Sequence, residues 1–275
     1  MLYFYANTGH KIGLERLRRG VALLNTLSNR GIETQLLVND FRAGLVARDL
    51  GAPSYVTIET VQDIDAIAEA GNSIIIDSIE DDHGRLVKYC NDFKQVWRFA
   101  HDEKDSVVHN EKLIAYDTVL VDDIYFEQKP KEDRVLFFLG DADYDKIILN
   151  HADFFKSLDM ELLLGNYFFV KYEDDLAKLF TTLHEPETYE DVITTSSTVL
   201  TASTQTALEA KASGAKVIYL DIQEDTIFPV TLLESFGIGV ISGFDSDRLK
   251  ELIQEEISQK CQPIEKIKDK NFIQI

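Results

Sequence analysis

VLTASTQTALEAKASGAKVIYLD, Val199 to Asp221, reads as strand, helix, strand. The run TVLTAS (Thr198 to Ser203) is apolar and β-branched until it turns small and polar at its end. TALEAKASG (Thr206 to Gly214) follows with good helix formers and a glycine stop, and VIYLD (Val217 to Asp221) is again apolar up to its last residue. Two such runs joined through a helix make a βαβ unit, the repeat that builds a parallel sheet covered by helices. The fold class is therefore set by this stretch, and the rest of the chain is read for its recurrence.

It recurs in both directions. Upstream stand VLFFLG (Val135 to Gly140), a helix through Phe155, MELLLG (Met160 to Gly165) and a helix from Asp174 to Leu183. Downstream are a helix in FPVTLLESFG, the short strand IGVI (Ile238 to Ile241) and the charged terminal helix SDRLKELIQEEISQK. The first half repeats the pattern with Leu2 to Tyr5, then a helix in which Leu17, Val21, Leu24 and Leu27 recur at helical spacing before Gly31. TQLLV (Thr34 to Val38), a helix to Leu50, SIIID (Ser73 to Asp77), VWRFA (Val96 to Ala100) and TVLVD (Thr118 to Asp122) complete it. SIIID is apolar until its last residue, as a central parallel strand buried on both faces must be. The proline-bearing, charged segment EQKPKEDR interrupts the alternation.

The reading is α/β, with two Rossmann-like domains whose parallel sheets face a central cleft: 1–126, a linker at 127–134, and 135–275 with the terminal helix. That helix is expected to cross back onto the first half. Open α/β sheets take ligands beyond the C-terminal ends of their strands, so the residues just after strands are the candidates.

Composition narrows the partners. The 275 residues carry 28 Lys and Arg against 48 Asp and Glu, a net charge of −20. Nucleic acid and anionic membranes need a cationic footprint, so neither is expected as a partner. No apolar run reaches the ~18 to 20 residues of a membrane span. Cys90 and Cys261 stand far apart, so neither a disulfide framework nor a zinc motif is expected; no signal segment is expected either, and a cytoplasmic location is.

After the first strand comes Asn7-Thr8-Gly9-His10-Lys11-Ile12-Gly13, then a helix. Small polar residues and glycines let backbone amides approach an anion at a helix start; the alternative is a structural turn with a solvated His10. The spacing fits neither a P-loop nor a dinucleotide fingerprint, and no cofactor is expected. Arg16, Arg18 and Arg19 form a cationic cluster suited to phosphate or carboxylate, or else a solvated helix face paired to nearby acids. In the second half, Thr204 or Thr206 caps the helix after Ser203, leaving amides and hydroxyls suited to a diphosphate, and Glu209 lies in its first turn, placed for ribose hydroxyls. The acid-rich loops Asp77 to His83 and His101 to Asp105 are read as solvent-facing, and no metal site is expected.

Two segments carry a family resemblance. FYANTGHKIGLERLRRGVAL resembles the opening of the nucleotide-sugar hydrolase of pseudaminic acid biosynthesis, whose motif is IGxGHxxR; Ile12, Gly13 and Arg19 match it. VLTASTQTALEAKASGAKVIYLD resembles the second-domain signature of that family and of related two-Rossmann-domain (GT-B type) glycosyltransferases, with Glu209 on the ribose-binding glutamate and Gly214 on the glycine ending the helix. LGDAD (Leu139 to Asp143) resembles the phosphate-proximal loop, which brings in Gly140, and Asp77 matches a family aspartate. The sequence departs at Glu15, which replaces the second glycine of the motif, at Arg16, which replaces its catalytic histidine, and at Asp141 in the phosphate loop. An arginine cannot act as a general base near neutrality, so His10 is the candidate base and Arg16 a charge stabiliser.

The resemblance implies an enzyme that handles a nucleotide-activated sugar, as a hydrolase of an amino-sugar nucleotide or as a glycosyltransferase of surface-polysaccharide biosynthesis. The implied substrate contacts are Asn7, Gly13, Arg19, Asp77, Gly140, Ser203, Thr204, Thr206 and Glu209. The alternative is a catalytically silent nucleotide-sugar-binding or scaffold protein of the same fold, serving an active partner enzyme of the same pathway.

Overall fold

In the computed structural model, residues 1–168, 170–223, 225–255 and 261–267 are described. They form two compact units: Met1–Asp123 together with the C-terminal stretch from Glu265, and Ile124–Ile264.

Each unit contains one six-stranded sheet. The strands of the first are β1 (Leu2–Ala6), β2 (Thr34–Val38), β3 (Tyr55–Thr57), β4 (Ser73–Asp77), β5 (Gln95–Phe99) and β6 (Lys112–Ile114). The second holds β7 (Glu132–Phe138), β8 (Glu161–Leu163), β9 (Thr182–His184), β10 (Ser196–Thr201), β11 (Lys216–Asp221) and β12 (Gly239–Ser242). All pairings are parallel. The orders are β3-β2-β1-β4-β5-β6 and β12-β11-β10-β7-β8-β9. Counted within each unit, both are the doubly wound 3-2-1-4-5-6 order. The chain direction reverses across the sheet between β1 and β4 in the first unit and between β7 and β10 in the second. A crevice opens at such a switch point, beyond the carboxyl ends of the two flanking strands.

Burial explains why the central strands form. Every residue of β1 and β4 is buried, so their apolar content is shielded on both faces. In the second unit Phe137 of β7 packs on Phe155 at 4.7 Å and stacks on Phe180 at 6.0 Å. Each buried phenylalanine contributes roughly 1.5–3 kcal/mol, and each ring pair about 0.5–1.5 more. Trp97 is buried, as a core residue should be.

Three expectations are corrected here. Thr118 to Asp122 is not a strand; Val119, Leu120 and Val121 are buried, but the sixth strand is Lys112–Ile114. The helix placed at Asp174 to Leu183 lies earlier, at Val170–Leu176, and Thr182–His184 is the edge strand β9. β7 begins at Glu132, inside the charged segment read as linker, because Arg134 gains partners there in Glu161 and Thr195. The terminal helix runs Ser246–Gln254; the remainder read as helix, 256–260, lies outside the described residues.

Candidate functional site

At the switch point of the second unit, β10 ends and the helix Thr204–Ala212 begins. The cap is Ser203, rather than Thr204 or Thr206, because the helix starts two residues earlier than the sequence pattern placed it. Its side-chain oxygen accepts from the Thr206 backbone amide at 3.1 Å and from the Thr206 hydroxyl at 2.8 Å. Such a cap contributes about 1 kcal/mol. Gly214 follows the helix end at φ +81°, the left-handed stop expected of it.

Behind the cap runs a buried polar network. The Tyr189 hydroxyl donates to Glu209 Oε2 at 2.6 Å and lies 2.7 Å from Thr206 Oγ1. Gln205 Nε2 donates to Glu209 Oε1 at 2.8 Å. Glu209 is only 2% exposed, so its carboxylate is fixed through both oxygens. Ser203, Thr204, Gln205 and Thr206 are buried with it. A buried polar network of this kind is rigid, which is what an anion-binding helix start needs. Tyr189 and Gln205 had no signal in the sequence; Tyr189 joins the cap only because its helix, Tyr189–Thr195, packs beside this one.

Across the switch point, β7 runs into Leu139-Gly140-Asp141. Gly140 has φ +136°, a conformation that side-chain-bearing residues rarely adopt. Asp141 is buried, and its Oδ1 accepts from Asn166 Nδ2 at 3.0 Å. Asp143 serves the fold, accepting from the backbone amides of Ile147 and Ile148 and from the Tyr172 hydroxyl.

In the first unit, β1 leads to Asn7 and Thr8, both buried. Asn39 pins Thr8, accepting from its amide at 2.7 Å and its hydroxyl at 2.9 Å while donating to its carbonyl at 3.0 Å. Asn7 Oδ1 is buried and has no hydrogen-bond partner among the described residues. That leaves an acceptor at the strand end, where an unmet buried acceptor costs about 1–3 kcal/mol. Gly9 and Gly13 close a tight turn, with Gly13 N on Gly9 O at 2.7 Å, and His10 is exposed within it.

The arginine cluster is not a solvated face. Arg18 and Arg19 are buried, and Arg19 grips Asp77 at the end of β4 with Nε–Oδ2 at 2.5 Å and Nη2–Oδ1 at 2.6 Å. Arg16 Nε lies 3.4 Å from the same carboxylate. The Arg19 guanidinium also lies 3.9 Å above the Phe99 ring. Asp77 and Arg19, expected as substrate contacts, are thus joined first to each other. The helix start of Glu15–Asn29 has no side-chain cap.

The chain resembles solved structures over nearly its whole length. S. aureus MnaA, solved with UDP, superposes with a TM-score of 0.57 at 12% identity, covering 92% of this chain and 88% of that one. The UDP-GlcNAc 2-epimerase of Methanocaldococcus jannaschii gives 0.54 at 11% identity, covering 95% and 94%. Spinosyn forosaminyltransferase SpnP gives 0.53 at 12% identity, covering 92% and 90%. The fold is GT-B-like. At these identities the likeness concerns the fold and not the chemistry. No protein-family model and no curated protein sequence matches the chain.

Among the described residues, no helix is long and apolar enough to cross a membrane, and no three His, Cys, Asp or Glu side chains gather as a metal site.

Proposed function

We propose that this GT-B-like chain handles a nucleotide-activated sugar, cleaving the sugar from its nucleotide or transferring it to an acceptor. The carrying observation is the second-unit switch point, where a Ser203-capped helix start, the backbone at Gly140 and the rigid Glu209 network come together. The neighbours in fold support the substrate class: one was solved with UDP, another is a UDP-GlcNAc 2-epimerase and a third is a sugar transferase. In this reading the phosphates lie at the helix start from Ser203 to Thr206, stabilised by the helix terminus. The ribose lies at Glu209, and since both its oxygens are already held, binding requires Tyr189 or Gln205 to share the carboxylate. In the first unit, the buried Asn7 Oδ1 is an acceptor that a substrate donor can meet.

For catalysis the proposed base is His10 and the proposed charge stabiliser is Arg16, with a hydrolase of amino-sugar nucleotides or a transferase of surface-polysaccharide biosynthesis as the finer forms. A second reading, a catalytically silent binder, is favoured by the carboxylate of Asp141 in the loop after β7 and by the placement of Arg16 against Asp77. The test is release of nucleoside diphosphate from nucleotide sugars, with and without acceptors. His10→Ala should lower turnover by about two to four powers of ten, the usual span for a general base, with nucleotide affinity unchanged. Full activity in that variant removes the base; absence of turnover on any activated sugar that binds establishes the silent reading.

A further inference from the structure

The first unit holds a cavity of about 190 Å³ beyond the carboxyl ends of β4 and β5. Its wall is apolar at Val61, Ile76, Leu86 and Tyr89, and polar at Ser78, Glu80, Asp82, Arg98, His101 and His109. Glu80 is held in an asymmetric way. Its Oε2 accepts from the Tyr5 hydroxyl at 2.5 Å, the Ser78 hydroxyl at 3.0 Å and the Val61 amide at 3.2 Å. Its Oε1 has no hydrogen-bond partner among those of the described residues. A carboxylate clamped through one oxygen presents the other as an oriented, charged acceptor.

The surrounding charge selects the donor. Arg98, the one permanent cation on the wall, is taken up by Asp105 at 2.6 Å and Glu111 at 3.4 Å. Asp82 adds a further negative charge to the lining. His101 Nε2 sits 2.9 Å from the Ser78 carbonyl, so its proton is on Nε2, and Nδ1 is an acceptor in the neutral ring. The site therefore offers acceptors and net negative charge above an apolar floor. The lining is open to solvent at an apolar residue too, since Val108 is 61% exposed. A volume below the ~300 Å³ of ordinary ligand pockets limits the occupant to a small molecule.

We propose that this pocket binds a small organic ammonium ion with an apolar body, its N–H groups on Glu80 Oε1 and its carbon skeleton against Val61, Leu86 and Val108. The lining residues all belong to the first unit, and the test does not use nucleotide binding at Ser203 to Glu209.

The test is calorimetry on the full chain near pH 7.5 with three probes of one shape: cyclohexylamine, cyclohexanol and cyclohexanecarboxylate. The amine should bind at least tenfold more tightly than the alcohol, and the carboxylate should not bind. In an isotope-labelled sample the amine should shift the amide signals of Ile76 to Glu80. Glu80→Gln should weaken the amine at least tenfold. Because Glu80 also anchors Tyr5 and Val61, Val108→Lys serves as a second variant: it leaves the fold intact at an exposed position and places a cation at the mouth, and it should weaken the amine similarly. Equal binding of amine and alcohol, preference for the carboxylate, no binding of any probe, or unaltered amine affinity in Val108→Lys would each overturn the proposal.

Discussion

Asp77→Ala should destabilise the first unit more than any other single carboxylate deletion near its switch point. Asp77 is 1% exposed and Arg19 3%; the pair is bidentate, with contacts of 2.5 and 2.6 Å, and Arg16 adds a third contact at 3.4 Å. Deleting the carboxylate leaves a guanidinium that was desolvated against Phe99 without the charge it was folded around. Removal of one partner from a buried ion pair costs about 3–5 kcal/mol. For a protein of this size that corresponds to a fall in Tm of roughly 6–20 °C in the transition of the unit concerned. The double variant Asp77→Leu with Arg19→Met should be much milder, since replacing both partners by apolar groups is often near neutral. Scanning calorimetry on the two variants measures this. A single Asp77→Ala loss below about 1 kcal/mol would refute the structural role and return Asp77 to the ligand contacts.

Further outcomes follow from other contacts. A Cβ at Gly165 would lie 2.5 Å from the backbone carbon and oxygen of Asp141 and from Gly140 O, so Gly165→Ala should cost about 1–3 kcal/mol by overpacking and weaken nucleotide binding by displacing that turn, as denaturant titration and calorimetry would show. The Arg98 guanidinium holds the Asp105 carboxyl far below its usual range. Burial alone would raise Glu111, but the Val108 and His109 amides and Arg98 outweigh it, so its carboxyl too is lowered. Stabilisation from depressed carboxyls is full above the unfolded values near 4 and is lost as pH falls below them. Trp97, the one tryptophan, sits beside Arg98; its fluorescence should hold steady from pH 8 to 5 and report loosening between about pH 4 and 2, and Arg98→Met should flatten that acid response. Glu209→Ala should weaken nucleotide binding by roughly 1.5–3 kcal/mol, the scale of hydrogen bonds to a charged group, whereas Tyr189→Phe should leave affinity equal or higher by removing a competitor for the carboxylate; calorimetry on both variants checks this.

How far the sequence revealed the fold depended on where each strand sits. β1, β2 and β4 are central, and their unbroken apolar runs give them away. β3, β6 and β9 are three-residue edge strands, too short for period or composition to announce them. Val119 to Val121 shows the converse error: an apolar run reports burial, and burial does not require a strand. For the site, glycines and small polar residues after strands marked both switch points, because ligand crevices follow from topology. Its partners were not legible. Arg19 and Asp77 are 58 positions apart, Tyr189 and Glu209 are 20 apart, and only folding brings them together. The Arg16 to Arg19 cluster read more readily as a solvated face, and the structure instead gives it a buried acid partner on β4.

The central claim is that a nucleotide rests on the second unit. Hydrogen exchange on the intact chain, with and without uridine, cytidine, guanosine and thymidine diphosphates and their sugars, tests it most directly. At least one nucleotide should slow exchange at the amides from Gly140 to Asp143 and from Ser203 to Glu209, and Thr206→Val should abolish that protection. Protection confined to the first unit, or no protection by any member of the panel, would contradict it.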